Sequence, residues 1–506
     1  MAELVAAQEA VLGSPLLWAS FLAPLLAGLL APLLGERPRA QAGLALLSWL
    51  VSAAALAPAV ALVERGRVVV DPLHPRVPGL GVFSMVLDGA SLPVAVSVVL
   101  VSAMIALYSV PYMRHRFGEL GGGSWRLYYL LYQLFTAGML GAALAGNGIL
   151  FYLFLELTLV PSALLIILYG YGDRLRVGLI YLVWTHLGAL LYLLGLFLAG
   201  SYDFYLPGRG YVLAVSSSLV ALWLVVLGLA VKTALAGVHF WLPYAHAEAP
   251  TPVSALLSPL LIGLGGYAMI RAGLGFFPEA WASVRGLLFA WAVATMLYGG
   301  FLVLAQRDVK RLLAYSSVSQ MGYMMLGLSL ANREALTGAV LHYASHALGK
   351  AILFGVAGIL IAVLGTRDLS GLGGLASRMR VTASLALLGF LLIAGLPPTL
   401  GLWSEVLLAF GFAGWARGLG PGGLVAAAAA VAAGFTLTVI YSFQAYRLIF
   451  LGEPRGEGAK RAVEAGRGLT APLAVLAAAG VVFFVALWLL ADPAARTLGS
   501  VYALPG

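Results

Sequence analysis

Apolar runs of eighteen or more residues recur from end to end of the chain, separated by short polar stretches that hold most of the charge. Runs of that length cross a hydrocarbon layer about 30 Å thick as helices. Fourteen are expected, near residues 12–34, 42–63, 84–110, 127–146, 148–170, 177–200, 212–240, 251–274, 283–305, 312–330, 335–364, 381–413, 424–450 and 470–491. The predicted fold class is all-α, a polytopic membrane protein. The longest polar stretch, Gly452 to Gly468, reads as a loop and is too short to fold alone.

Charge placement orients these spans. Odd-numbered loops and their flanks carry 18 Lys and Arg against 8 for even-numbered ones, with Arg496 in the tail and Lys232 and Lys350 inside spans. Basic loops stay cytoplasmic, so the odd loops are expected there and both termini outside. At 62% apolar and 10% charged residues the chain is no soluble globular protein. The net charge of +9 reads as arginines at a membrane face, so the bilayer is the expected partner and nucleic acid is not. There is no Cys, which excludes a disulfide, a thiolate metal site and an iron–sulfur cluster. No cofactor and no metal are expected on this chain. Absent Cys and only two Asn suggest a hot habitat. Glu3 and Glu9, with no basic residue beside them, predict no cleaved signal peptide.

Some charges fall where they are costly. Lys232 lies in the apolar run that leads to His239-Phe-Trp-Leu-Pro-Tyr-Ala-His-Ala-Glu-Ala-Pro-Thr-Pro252. An ammonium at bilayer depth costs at least roughly 2.5–3.5 kcal/mol. The helix is expected to break at Gly237 and Pro243 and to restart after Pro250 and Pro252, and broken helices persist in membranes only where protein or water satisfies the freed backbone. The alternative is a lysine that snorkels to the interface. Glu156 stands nine residues after Asn147, roughly 13 Å into the bilayer, and Lys232 is its obvious partner. Glu405 follows the breakers of Gly395-Leu-Pro-Pro398. His342, His346 and Lys350 recur every four residues and share one helix face, the pattern of a proton relay. His186 is either part of that chemistry or a hydrogen-bonded bridge between helices. His239 and His246 read as entry or helix-break residues, and Asp88 as an interfacial cap.

Spans seven and twelve both join a Gly/Pro interruption to a buried charge, and they are five spans apart. An odd offset inverts topology, so two inverted five-helix repeats are expected, helices 4–8 and 9–13. The corresponding segments are 1–125 (helices 1–3), 126–275 (first repeat), 276–450 (second repeat) and 451–506 (loop and helix 14).

Across roughly residues 80 to 450 the chain resembles the antiporter-like subunits of respiratory complex I and their relatives, the large subunits of Mrp sodium/proton antiporters and the membrane arms of energy-converting hydrogenases. The resemblance rests on Leu155-Glu-Leu157 with Val160-Pro161, Lys232 through Pro252, Arg307-Asp-Val-Lys-Arg-Leu-Leu-Ala-Tyr-Ser-Ser-Val-Ser-Gln-Met-Gly322, the histidine helix ending at Lys350, Thr366-Arg-Asp-Leu-Ser-Gly-Leu-Gly-Gly374, and Leu396-Pro-Pro398 with Glu405. The M-type branch, counterpart of mitochondrial chain 4, fits best. It carries a glutamate where Glu405 stands, and no long lateral helix is expected after span 14.

The resemblance implies a membrane-arm subunit of a proton-translocating NADH:quinone oxidoreductase-like complex in a prokaryotic plasma membrane. Glu156 and Lys232 would be paired input residues, His342, His346 and Lys350 a central relay, and Glu405 the exit carboxylate. Partners would be neighbouring antiporter-like subunits and, indirectly, a peripheral redox arm. Two departures stand out. Gly263 occupies the position where relatives place a lysine on helix 8, so Ser254, Ser258 or Tyr267 with water must replace it. Lys350 is more typical of L-type, hydrogenase and Mrp relatives, so the electron donor need not be NADH. A sodium/proton exchanger, and a spacer that no longer pumps, are the alternative readings.

Overall fold

The computed structural model describes residues 3–504. Its helices run in the order α1 (Leu16–Leu30), α2 (Pro38–Glu64), α3 (Leu92–Glu119), α4 (Trp125–Leu144), α5 (Gly148–Tyr169), α6 (Arg174–Ala199), α7 (Leu219–Thr233) and α8 (Trp241–Glu248). Then come α9 (Thr251–Leu256), α10 (Ile262–Ala268), α11 (Pro278–Leu304), α12 (Val309–Leu330), α13 (Arg333–Leu364), α14 (Arg380–Ile393), α15 (Leu400–Ala416) and α16 (Pro421–Phe450). The chain ends with α17 (Glu457–Lys460), α18 (Arg467–Val485) and α19 (Trp488–Thr497). Two π-helical turns, Leu257–Leu261 and Met269–Leu274, join α9 and α10 into one stretch from Thr251 to Leu274. Among the described residues eleven helices are long and apolar enough to cross a membrane.

Every apolar stretch expected from sequence contains helix, but four differ in outline. The third begins at Leu92, because Asp88 folds the preceding residues into a turn by accepting from the backbone N–H groups of Ala90 and Ser91 (3.0 and 2.9 Å). The seventh stops at Thr233, where Ala234 turns left-handed, and Gly237 carries the positive φ of the crossing. Pro243 breaks nothing. It stands in the first turn of α8, where its missing N–H has no helical partner to lose. The twelfth is two helices, α14 and α15, and the fourteenth ends at Val485 before α19 begins.

Short strands also interrupt the all-α expectation: β1 (Glu3–Val5), β2 (Glu9–Val11), β3 (Val68–Val70), β4 (Arg76–Val77), β5 (Gly81–Val82), β6 (Val86–Leu87), β7 (Tyr205–Leu206) and β8 (Gly210–Leu213). They pair in the orders β1-β8-β7, β2-β3-β6 and β4-β5, tying the N-terminal residues to the loops before α3 and α7.

Two elements form the axis of the bundle. Every residue from Thr251 to Leu274 is buried, and so is every residue of α13 from Ala335 to Ile361. A helix apolar on all sides belongs inside, wrapped by others. Outer helices expose large apolar side chains instead, such as Leu47 and Leu50 on α2, Val183 and Leu187 on α6 and Phe301 on α11, as a lipid-facing surface does. The chain's only two asparagines are both helix N-caps. Asn147 accepts from the N–H groups of Ile149 and Leu150 at α5 (2.8 and 3.0 Å), and Asn332 from Ala335 at α13 (2.9 Å).

Asp88 does more than cap. It is fully buried and takes Arg271 Nη2 at 2.6 Å, while Tyr211 donates to its other oxygen at 2.7 Å. Arg271 also donates to the hydroxyls of Tyr267 and Tyr502 (3.1 and 2.9 Å). Burial alone would push the Asp88 carboxyl up. The Arg271 charge and these hydrogen bonds outweigh it and hold the group below its ordinary value. The cluster fastens the end of the Thr251–Leu274 stretch to the entry of α3 and to the C-terminal segment.

Candidate functional site

Lys232 lies in the last turn of α7, where the helix dipole favours a cation. Its Nζ is buried and makes no hydrogen bond among the described residues. The break beside it is built to exist at bilayer depth. Trp241 Nε1 donates to Val231 O (2.9 Å), Trp291 Nε1 to Ala236 O (2.8 Å) and Trp184 Nε1 to Val238 O (3.1 Å). Indole donors thus take up carbonyls that the helix has released, as a dry interior requires.

Glu156 does not hydrogen-bond to Lys232. Its Oε2 meets His186 Nδ1 at 2.9 Å, and its Oε1 has no partner. The two side chains are 22% and 45% exposed and line an open groove on the outer face with Leu159, Val160, Leu182 and Val183. The structure thus bonds Glu156 to His186, and no hydrogen bond joins the carboxylate to Lys232.

A side chain cannot stand at position 263, because a Cβ there would run into the ring of Tyr343, whose hydroxyl donates to Leu260 O (3.0 Å). The connection runs one turn earlier. The hydroxyls of Ser258 and Ser317 meet at 2.6 Å between the first π turn and α12. Ser317 also donates to Leu313 O (2.9 Å), and the same carbonyl accepts from Lys350 Nζ (3.0 Å). Lys350 further bonds the Ser316 hydroxyl. Single π turns inside helices recur at functional sites.

From Lys350 the line follows one face of α13. His346 Nε2 is unpartnered, and its ring lies 6.3 Å from that of His342. His342 Nε2 faces Gln320 O at 3.1 Å, its Nδ1 faces Ser404 Oγ at 3.5 Å, and its ring stacks on Tyr323 at 5.1 Å. Glu405 follows Ser404 on α15. Its carboxylate fills the space beside Gly395, which has φ +63° and could not carry a Cβ without striking it. Lys350, His346 and His342 are thus brought together on one face of α13, and Ser404, which faces His342, precedes Glu405 on α15. Ser258 is one of the replacements the sequence offers, whereas Ser316, Ser317 and Ser404 escape sequence reading because isolated hydroxyls are common in helices and leave no periodic mark. Lys310, counted with the loop charges, is in fact fully buried and bonded to the carbonyls of Ala247 and Ala249.

A long apolar bundle with interrupted helices and ionisable groups buried inside it defines a polytopic membrane protein. The family described as NADH:quinone oxidoreductase/Mrp antiporter, TM matches residues 145–428, and the chain belongs to it. It is 31% identical over 334 residues to the NADH-quinone oxidoreductase subunit M of Rickettsia typhi, covering 64% of this chain and 65% of the relative. It is 34% identical over 384 residues to subunit N of Desulforudis audaxviator, covering 71% and 72%. It is 31% identical over 391 residues to an NAD(P)H-quinone oxidoreductase chain 4 of Thermosynechococcus vestitus, covering 76% and 71%. Among solved structures it superposes on a chain of the Mrp complex from a Dietzia species (TM-score 0.81, 24% identity, 96% and 97% coverage). It also superposes on a chain of respiratory complex I from Thermus thermophilus with bound NADH (TM-score 0.78, 25% identity, 97% and 100% coverage).

Proposed function

We propose that this chain is a proton-translocating membrane-arm subunit of a complex I-like donor:quinone oxidoreductase. The observation that supports it most directly is the buried set Lys232, Ser258, Ser317, Lys350, His346 and His342, in which hydrogen bonds lead from Ser258 through Ser317 and the Leu313 carbonyl to Lys350. The fourteen apolar stretches are the chain's crossings, and the charge-bearing breaks in the seventh and twelfth support inverted repeats over spans 4–8 and 9–13. The segments 1–125, 126–275, 276–450 and 451–506 are the units of that arrangement. The odd loops face the cytoplasm of a prokaryote and both termini face outward. Neighbouring antiporter-like subunits flank the chain, and the redox arm acts on it at a distance. The chain itself carries no cofactor, metal or redox centre.

Glu156 and Lys232 form the input switch, with His186 holding the carboxylate. While the carboxylate's field reaches Lys232, the ammonium is stabilised. When a conformational change driven by electron transfer withdraws that field, a charge stranded in low dielectric gives up its proton toward Lys350. The histidines pass it to Glu405. Tyr343 excludes a lysine at position 263 on α10, and the Ser258–Ser317 pair takes its place.

The test is proton uptake by the native complex in vesicles. Lys232→Ala and Glu156→Ala should abolish coupled uptake while leaving the complex assembled; wild-type uptake in both would end the proposal. A second reading, a subunit of a sodium/proton antiporter, is supported by the family itself, which takes in Mrp antiporters as well as NADH:quinone oxidoreductases. Sodium-driven exchange without electron transfer would select it, and copurifying quinone-site and iron–sulfur subunits would select the first.

A further inference from the structure

The relay described so far leaves one buried titratable group unused. His246 on α8 is fully buried, and neither ring nitrogen has a hydrogen-bond partner. Its ring stacks on Phe354 of α13 at 4.8 Å. Phe354 stands one helical turn along α13 from Lys350, so His246 packs on the face that carries the relay, while Lys310 bonds the Ala247 and Ala249 carbonyls beside it.

A file of hydroxyls leads from the odd-loop face toward His246. Thr251, fully buried one turn beyond His246, donates to the Tyr112 hydroxyl at 2.8 Å, which meets the Tyr171 hydroxyl at 2.7 Å. Tyr171 is half-buried in the loop after α5 and marks the mouth. A carboxylate is stationed there. The Glu248 backbone carbonyl accepts from Tyr171 N–H (2.7 Å), and its Oε2, buried and unpartnered, abuts Gly172. At the inner end Thr251 packs on Gly358, one helical turn along α13 from Phe354, so Thr251 and His246 lie on the same face. The cations at the mouth are already engaged. Arg116 bonds Glu119 (2.8 Å) and the carbonyls of Tyr169 and Gly170, and Lys310 bonds those of Ala247 and Ala249. Both also face the Tyr171 ring, Arg116 Cζ at 3.7 Å and Lys310 Nζ at 5.6 Å from its centre, and neither forms an ion pair with the Glu248 carboxylate.

We propose that Glu248, Tyr171, Tyr112 and Thr251 form a proton inlet from the odd-loop face to His246, which feeds Lys350. It rests on the proton-translocating reading and adds the entrance that reading lacks. A proton taken up by Glu248 is passed to Tyr171. Each hydroxyl receives one proton and releases its own to the next, so none stays charged. His246 accepts the last and yields it toward Lys350, and the hydroxyls then rotate back.

Tyr112→Phe removes the middle hydroxyl and keeps the ring; Thr251→Val and Glu248→Gln are its companions. In the native complex in vesicles, each should lower the initial rate of proton uptake by about tenfold or more per assembled complex. Each should also raise the ratio of rates in H2O and D2O above wild type, because proton delivery becomes limiting. A merely structural tie lowers uptake only in proportion to lost assembly and leaves that ratio unchanged. Should Tyr112→Phe or Thr251→Val not assemble, Glu248→Gln at the mouth carries the test alone. Wild-type uptake in Tyr112→Phe or Glu248→Gln overturns the inlet. If Lys232→Ala abolishes uptake in the same preparation, only the inlet has failed; if Lys232→Ala also pumps normally, the translocating reading has failed with it.

Discussion

The Ser258–Ser317 pair separates relay from packing. Ser258 Oγ has Ser317 Oγ as its hydrogen-bond partner, whereas Ser317 also donates to Leu313 O. Ser317→Ala therefore strands the Ser258 hydroxyl in a dry interior, at a cost of about 1–3 kcal/mol. Ser258→Ala removes one interhelical bond and leaves Ser317 satisfied, so it should cost about 0.6–1.7 kcal/mol. The double variant strands nothing. Leu313 O keeps Lys350 as a donor, and paired removal of hydrogen-bonding partners is close to neutral. Thermal inactivation of the purified complex should place Ser317→Ala lowest and return the double variant near wild type, a coupling that a double-mutant cycle measures directly. Proton uptake should behave oppositely. Both single variants and the double variant lack a continuous hydroxyl path and should all pump slowly, by about tenfold or more. If uptake recovers with stability in the double variant, the pair is packing and the reasoning is refuted.

Two further outcomes follow from buried groups. Asp88→Asn leaves Arg271 without its counter-charge and should destabilise the complex by about 3–5 kcal/mol, and adding Arg271→Met, which removes the stranded charge while the introduced asparagine keeps accepting from the Ala90 and Ser91 N–H groups, should recover part of that, as thermal denaturation can show. Because the folded Asp88 carboxyl is held below its ordinary value, the pair's contribution is complete at neutral pH and is lost as pH falls through that lowered value, below about 4. Gly263→Lys should fail to assemble, since even its Cβ meets the Tyr343 ring, and adding Tyr343→Ala should restore assembly, read as complex recovered on purification.

Much of this protein is legible along the chain because the bilayer is a severe solvent. Apolar runs must be helices that cross or pack, so the helical stretches can be read from length and hydropathy alone. Charges that interrupt such runs are costly, which is why Glu156, Lys232, His342, His346, Lys350 and Glu405 stand out without a structure. Tertiary structure decided what those groups touch. It bonded Glu156 to His186 rather than to Lys232, ended α7 at Thr233 where indoles from α6, α8 and α11 could take the released carbonyls, and folded Asp88 onto Arg271. It buried Lys310 and filled the place above Gly263 with a tyrosine ring. Hydrogen bonds between residues far apart in sequence follow no period, and one serine in a helix reads like any other until its partner is placed across the gap.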